Sequence, residues 1–145
     1  KAEQADGSDR QAMLAEAKGL FDQAHKIFTE SRDGAKAELA KIPKSLDPGK
    51  DGDLLERREE LRKEFLQAML LAAAVTEEKA DTVGEKSPER KKILESASAQ
   101  YNELFTKYGK YLAGLYARMH SGRVQMKLGE FDKALNYFKE ELLNQ

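Results

Sequence analysis

The sequence predicts an all-α protein of about six helices, stacked as antiparallel hairpins in one domain. Three observations carry this. Across 145 residues the chain is 40% hydrophobic and 35% charged, rich in Ala, Glu, Lys and Leu, with only three prolines, a texture that favours long amphipathic helices over strands. Its apolar residues recur every three or four positions, not in alternation. An internal string also repeats without gaps: Gly19-Leu20-Phe21-Asp22-Gln23-Ala24-His25-Lys26-Ile27-Phe28 aligns on Gly129-Glu130-Phe131-Asp132-Lys133-Ala134-Leu135-Asn136-Tyr137-Phe138.

The repeated string reads as helix, turn and antiparallel helix. Glycine ends one helix by accepting a left-handed backbone. The aromatic after it opens the next buried stripe, and the Ala three residues on lets two helices approach closely. A degenerate copy lies at Ala97, Tyr101, Leu104 and Phe105.

The elements follow in order. Residues 1–7 are polar and expected to fray. A first helix is placed at 8–18, with Ser8 as N-cap. A second, at 20–42, carries Phe21, Ala24, Ile27, Phe28, Ala35 and Leu39 on one stripe; Gly34 is a point where it bends, and Pro43 limits it. The stretch from Pro43 to Gly52 is dense in turn formers and separates two hairpins.

A long third helix, about 53–82, carries Leu54, Leu61, Phe65, Ala68, Met69 and Ala72, and its middle is apolar nearly all round, which makes it the core of the domain. Gly84 to Pro88 forms a turn, with Ser87 as N-cap and Pro88 in the first helical position of a fourth helix that reaches Tyr108. Gly109 breaks that helix. A fifth helix covers 110–128, and a sixth runs from Glu130 to the end. The hairpins are thus placed at 8–42, 53–108 and 110–145 of a single domain, 1–145.

Charge and composition narrow the function classes. The 25 Lys+Arg offset 26 Asp+Glu, for a net charge of −1, and the two signs alternate along the chain. No cationic block steers the protein to nucleic acid. The longest apolar run, Phe65 to Val75, is about half of the roughly 20 residues a membrane span requires, so no membrane insertion is expected. With no cysteine, disulfides and thiolate metal sites are excluded, and a reducing cytoplasm and a bacterial periplasm fit equally well. The chain begins at Lys1, as a processed protein or a piece of a larger multi-domain protein would.

No catalytic constellation is legible, and no enzyme activity, cofactor or metal is expected. His25 and His120 lie far apart in sequence without metal-ligand spacing; His25 is assigned to a helix surface. Gly49-Lys50-Asp51-Gly52 lacks the spacing and preceding strand of a phosphate loop. Glu56-Arg57-Arg58-Glu59-Glu60 reads as a solvated face of i,i+3 and i,i+4 ion pairs, worth about 0.2–0.5 kcal/mol each. The five tyrosines cluster in the C-terminal third, mainly at core or seam positions, and Tyr116 is the one expected to meet a ligand.

Gly122, Gly129, Phe131, Ala134 and Phe138 stand at the spacing of a tetratricopeptide repeat, and the C-terminal segment resembles that family. Ala97 and Ala134 are 37 residues apart, near the family period of about 34. The likeness is good over about 97–143 and weaker over 9–30. Between them the long third helix departs from the pattern, and Arg118 stands where the family places a large aromatic.

The resemblance implies a right-handed superhelix whose concave face takes an extended peptide or a partner helix. Its groove residues on the fifth helix would be Tyr116, Met119, His120 and Arg123. The Lys, Asn and Arg set with which some members grip a C-terminal carboxylate is not found. The function expected is therefore a non-catalytic scaffold for a protein or peptide partner. The alternative is a structural, self-associating module, a homodimer through the C-terminal helix, where Leu135, Phe138, Leu142 and Leu143 call for a cover.

Overall fold

The computed structural model describes the backbone of residues 2–143 and the side chains of residues 7–139. Five α-helices and one short 3-10 turn occur among the described residues: α1 (Ala2–Lys41), α2 (Gly52–Lys79), the 3-10 turn Ala80–Thr82, α3 (Pro88–Tyr108), α4 (Leu112–Lys127) and α5 (Phe131–Leu143). No strand occurs among the described residues. Each helix packs against the next in sequence, and α2 also meets α4 directly.

The all-helical class is correct, and the count of six is corrected to five. The expected first hairpin at 8–42 is one continuous helix of 40 residues, in which Gly19 ends nothing, Ser8 caps nothing and Gly34 interrupts nothing. The helix begins at Ala2, inside the stretch expected to fray. The reason lies in the helix it packs along. Half-buried or buried Leu14, Ala17, Phe21, Ala24, Phe28, Ala35 and Leu39 follow one another at steps of three, four or seven through Gly19 without a break. A helix whose apolar stripe stays in register gains more by continuing along α2 than the roughly 1 kcal/mol that an interior Gly costs.

Gly129 behaves as its string predicts. It is the one positive-φ residue among those described (φ 79°). The Glu130 amide donates to the Gln125 carbonyl at 2.9 Å and the Gly129 amide to the Met126 carbonyl at 3.0 Å. These paired bonds form a Schellman cap. The same glycine-centred string therefore turns the chain at α4/α5 and runs straight through in α1.

Elsewhere the punctuation is as read. Ser87 accepts a hydrogen bond from the Glu89 amide at 3.2 Å, with Pro88 opening α3. In the 43–51 loop, Asp47 accepts from the Gly49 amide and Asp51 from the Asp47 amide, each at 2.8 Å.

The core sits between α2, α3 and α4: Phe65, Leu66, Ala73, Ala80, Leu94, Ala97, Tyr101, Leu104, Ala117 and Val124 form one cluster, which Ala35 of α1 joins. Small residues set the helix spacings there. A Cβ at Gly114 would meet the Tyr108 carbonyl oxygen at 2.2 Å, and one at Gly122 would lie 2.7 Å from the Phe138 ring. Arg118 fills the place of an aromatic by lying over two rings, 4.7 Å from the Phe105 centroid on α3 and 3.7 Å from that of Tyr137 on α5. Its aliphatic stem and flat guanidinium do the packing that a ring would do.

Candidate functional site

The helix order places α2 and α4 side by side on one face, running in the same direction. Residues 59–70 of α2 stand beside 111–116 of α4, and Glu77 stands beside 120–127. That face has two ends of different chemistry.

At the C-terminal end Glu77 is completely buried. It continues the stripe Leu66, Leu70, Ala73, Glu77, Ala80, so helix geometry sends its side chain to the α3/α4 seam and not to water. Arg123 donates from Nε to Oε1 and from Nη2 to Oε2, both at 2.8 Å. The Lys127 ammonium lies 3.1 Å from Oε1, and the Tyr101 hydroxyl donates to Oε2 at 3.0 Å. Tyr101 in turn stacks on His120, with ring centroids 5.3 Å apart. A second ring of acids surrounds these cations: Glu78 is 3.6 Å from Arg123, and Asp81 is 3.6 Å from Lys127 and 3.1 Å from Arg90.

The ionisation of this cluster follows from its contacts. Burial alone would push the Glu77 carboxyl up, but the hydrogen bonds and charges of Arg123 and Lys127 outweigh it and hold the group below the ordinary carboxylate value. Burial, then the Glu77 charge, pushes the Tyr101 phenol well up, so it stays a donor. Burial first and Arg123 second press His120 below its ordinary value, against the pull of Glu77 and Glu78. The result is a satisfied ion cluster that ties α2, α3 and α4 together, with a neutral imidazole at its edge. A buried carboxylate with all its partners in place is a clamp.

Beside it, a smaller polar ladder joins α3 to α4. Gln125 donates to the Ser98 hydroxyl at 2.8 Å, and the Ser121 hydroxyl donates to Asn102 Oδ1 at 3.0 Å.

At the N-terminal end of the same face lies an apolar groove of about 440 Å³. Leu66 and Leu70 form its α2 wall, and Tyr111, Leu112, Ala113 and Tyr116 its α4 wall. Glu59, Arg62, Lys63 and Gln67 line the rim. Leu112 is 66% exposed and Tyr116 45%. Tyr111 is braced by the edge-to-face pair of Phe65 and Tyr108, whose centroids are 5.7 Å apart.

The four groove residues expected from sequence fall into both environments. Tyr116 lines the apolar groove. Met119 is half exposed between the two ends of the face. His120 and Arg123 are drawn into the Glu77 cluster. Sequence reading missed Glu77, Lys127 and the groove walls Leu66, Leu70 and Leu112. The signal for Glu77 was its place at the end of a strict apolar stripe, where a carboxylate must find cations.

His25, assigned to a helix surface, is half-buried in a shallow cleft with Phe21, Asp22 and Lys79, on the side where α1 meets α2 and α3. Among the described residues no group of three or more His, Asp or Glu is arranged to hold a metal ion, and no helix is long and apolar enough to cross a membrane. Comparison with family models, with curated proteins and with solved structures found no match for this chain.

Proposed function

We propose that the protein is a non-catalytic scaffold, organised in the manner of tetratricopeptide repeats, that holds a protein or peptide segment on its α2/α4 face. The observation that carries this reading is the apolar groove whose walls include an exposed leucine and an exposed tyrosine. Covering a large apolar side chain fully contributes about 1.5–3 kcal/mol, and side chains of this kind are the usual anchors of binding surfaces. The Glu77 cluster supports the reading from below: it fixes the spacing of the helices that form the face, so the groove is preformed.

The reading is tested by affinity capture with the wild-type chain and with Leu112→Glu and Tyr116→Ala, which alter exposed side chains and leave the core untouched. A specific partner retained by the wild type and lost by both variants is the expected outcome. Equal retention by all three removes the groove. Arg123→Glu is unsuited to this test, because it would break the Glu77 clamp.

A second reading, self-association, is favoured by α5, where Phe131 is 67% exposed and Leu135 51% exposed next to one another on the helix. Leu142 and Leu143, expected to share that stripe, lie outside the residues whose side chains are described. A concentration-dependent mass in light scattering, abolished by Leu135→Glu, would support it.

A further inference from the structure

We propose that the N-terminal end of the α2/α4 groove takes an acidic segment of a partner protein, one that presents bulky apolar side chains flanked by carboxylates. The inference rests on the scaffold reading and deepens it by naming the chemistry of the partner.

The groove pairs an apolar floor with a cationic rim. Its floor is Leu66, Leu70, Leu112 and Tyr116. Two cations are held against the Tyr111 ring at its mouth, the Arg62 guanidinium 5.6 Å and the Lys110 ammonium 5.4 Å from the centroid. Lys63, next to Arg62 on α2, lines the same groove. Among the described residues no carboxylate pairs with Lys63 or Lys110. Glu59 is the acid lining the groove, and it already pairs with Arg62.

The backbone adds to the same sign. The first turn of α4 begins at Leu112, with no side-chain cap on its amides and no acidic residue, so the positive end of the helix lies beside the groove that Leu112 and Ala113 line. A floor of this kind supplies affinity, and a rim of this kind selects sign and speeds encounter. An acidic apolar segment satisfies both, while a basic one meets uncompensated repulsion at Lys63 and Lys110. A second copy of the chain offers a weaker version of this chemistry: the sequence of its α5 segment sets Glu130, Asp132, Glu140 and Glu141 against Lys133, which is paired with Glu130 at 3.1 Å, and Lys139, and the mass measurement below separates it from an acidic partner.

The test uses the full chain and two fluorescein-labelled peptides of about 15 residues, long enough for a row of apolar anchors at i, i+4 and i+7. Both carry Leu and Phe at those positions; one has Glu at the flanking positions and the other Lys. In low salt the Glu peptide is expected to bind roughly tenfold tighter or better, a gap that narrows as salt screens the rim. Lys63→Glu with Lys110→Glu should reverse the preference, and Leu112→Glu should weaken both peptides, with circular dichroism confirming that each variant folds.

Equal affinity for the two peptides would overturn the inference while leaving the scaffold reading in place. Binding of neither would overturn the inference and remove this groove from the scaffold reading as well. Growth in mass with concentration that Leu112→Glu abolishes would give the groove to a second copy and overturn the acidic partner.

Discussion

Arg123 holds Glu77 through two parallel hydrogen bonds of 2.8 Å, and the carboxylate they hold has no exposed surface. One end of α4 is thereby pinned to α2, and Arg123, which reads in the sequence as a groove residue, is part of the clamp that builds the groove wall.

The first prediction tests that clamp. Arg123→Met leaves a buried carboxylate short of its main partner and should cost about 3 kcal/mol, near the low end for a broken buried pair because Lys127 and Tyr101 remain. Glu77→Leu combined with Arg123→Met removes both charges and should cost less than Arg123→Met alone. Urea unfolding of these two variants and of Glu77→Leu alone measures it; additive losses would show that the pair is not coupled.

The second concerns close approach. Gly114→Ala sets a Cβ against the Tyr108 carbonyl, which is backbone and cannot yield, whereas Gly122→Ala meets the Phe138 ring. Both should destabilise, Gly122→Ala by about 1–3 kcal/mol. Phe138→Leu should recover part of the loss at Gly122, and no side-chain change should recover Gly114. Thermal melts of the single and paired variants decide between them.

The third prediction follows from α1. A Cβ at Gly19 or Gly34 would meet nothing within 4 Å, and both glycines are helical. Gly19→Ala and Gly34→Ala should each stabilise the protein by about 0.5–1 kcal/mol. A loss of stability at Gly19 would return the hairpin that the sequence string implies.

That string shows what the sequence does and does not reveal. Apolar residues keep helical spacing through both glycines of the string, Leu14, Ala17, Phe21 and Ala24 around Gly19 and Val124, Leu128, Phe131 and Leu135 around Gly129, yet only Gly129 turns the chain. Local residue identity marks where a turn is permitted, and the packing partner decides whether it is used. The groove is half legible for the same reason. Tyr116 stands out on α4, but Leu66 and Leu70 are indistinguishable from core until α4 is placed beside α2. Glu77 hides among surface-type glutamates until its place on the buried stripe is followed.

A fourth prediction concerns pH. His120 has its folded pKa pressed below the ordinary 6.5, so the unfolded chain takes up the proton first; stability is full above about pH 6.5 and falls as pH drops through the folded value. Glu77 is also lowered, from 4.5, so its contribution is present above that pH and is lost on further acidification. Unfolding free energy against pH should decline in two steps, and His120→Gln should remove the upper one. An unchanged profile in that variant would contradict the assignment.

The use of the α2/α4 face is tested most directly by a photo-crosslinking scan in the living source cell. A benzophenone amino acid is placed in turn at Leu112, Tyr116 and Met119 on that face, and at Lys26 and Ala99, exposed positions on α1 and α3. The account predicts one discrete crosslinked product from the first three positions and none from the last two. Products from Lys26 and Ala99, with the α2/α4 positions silent, would contradict it.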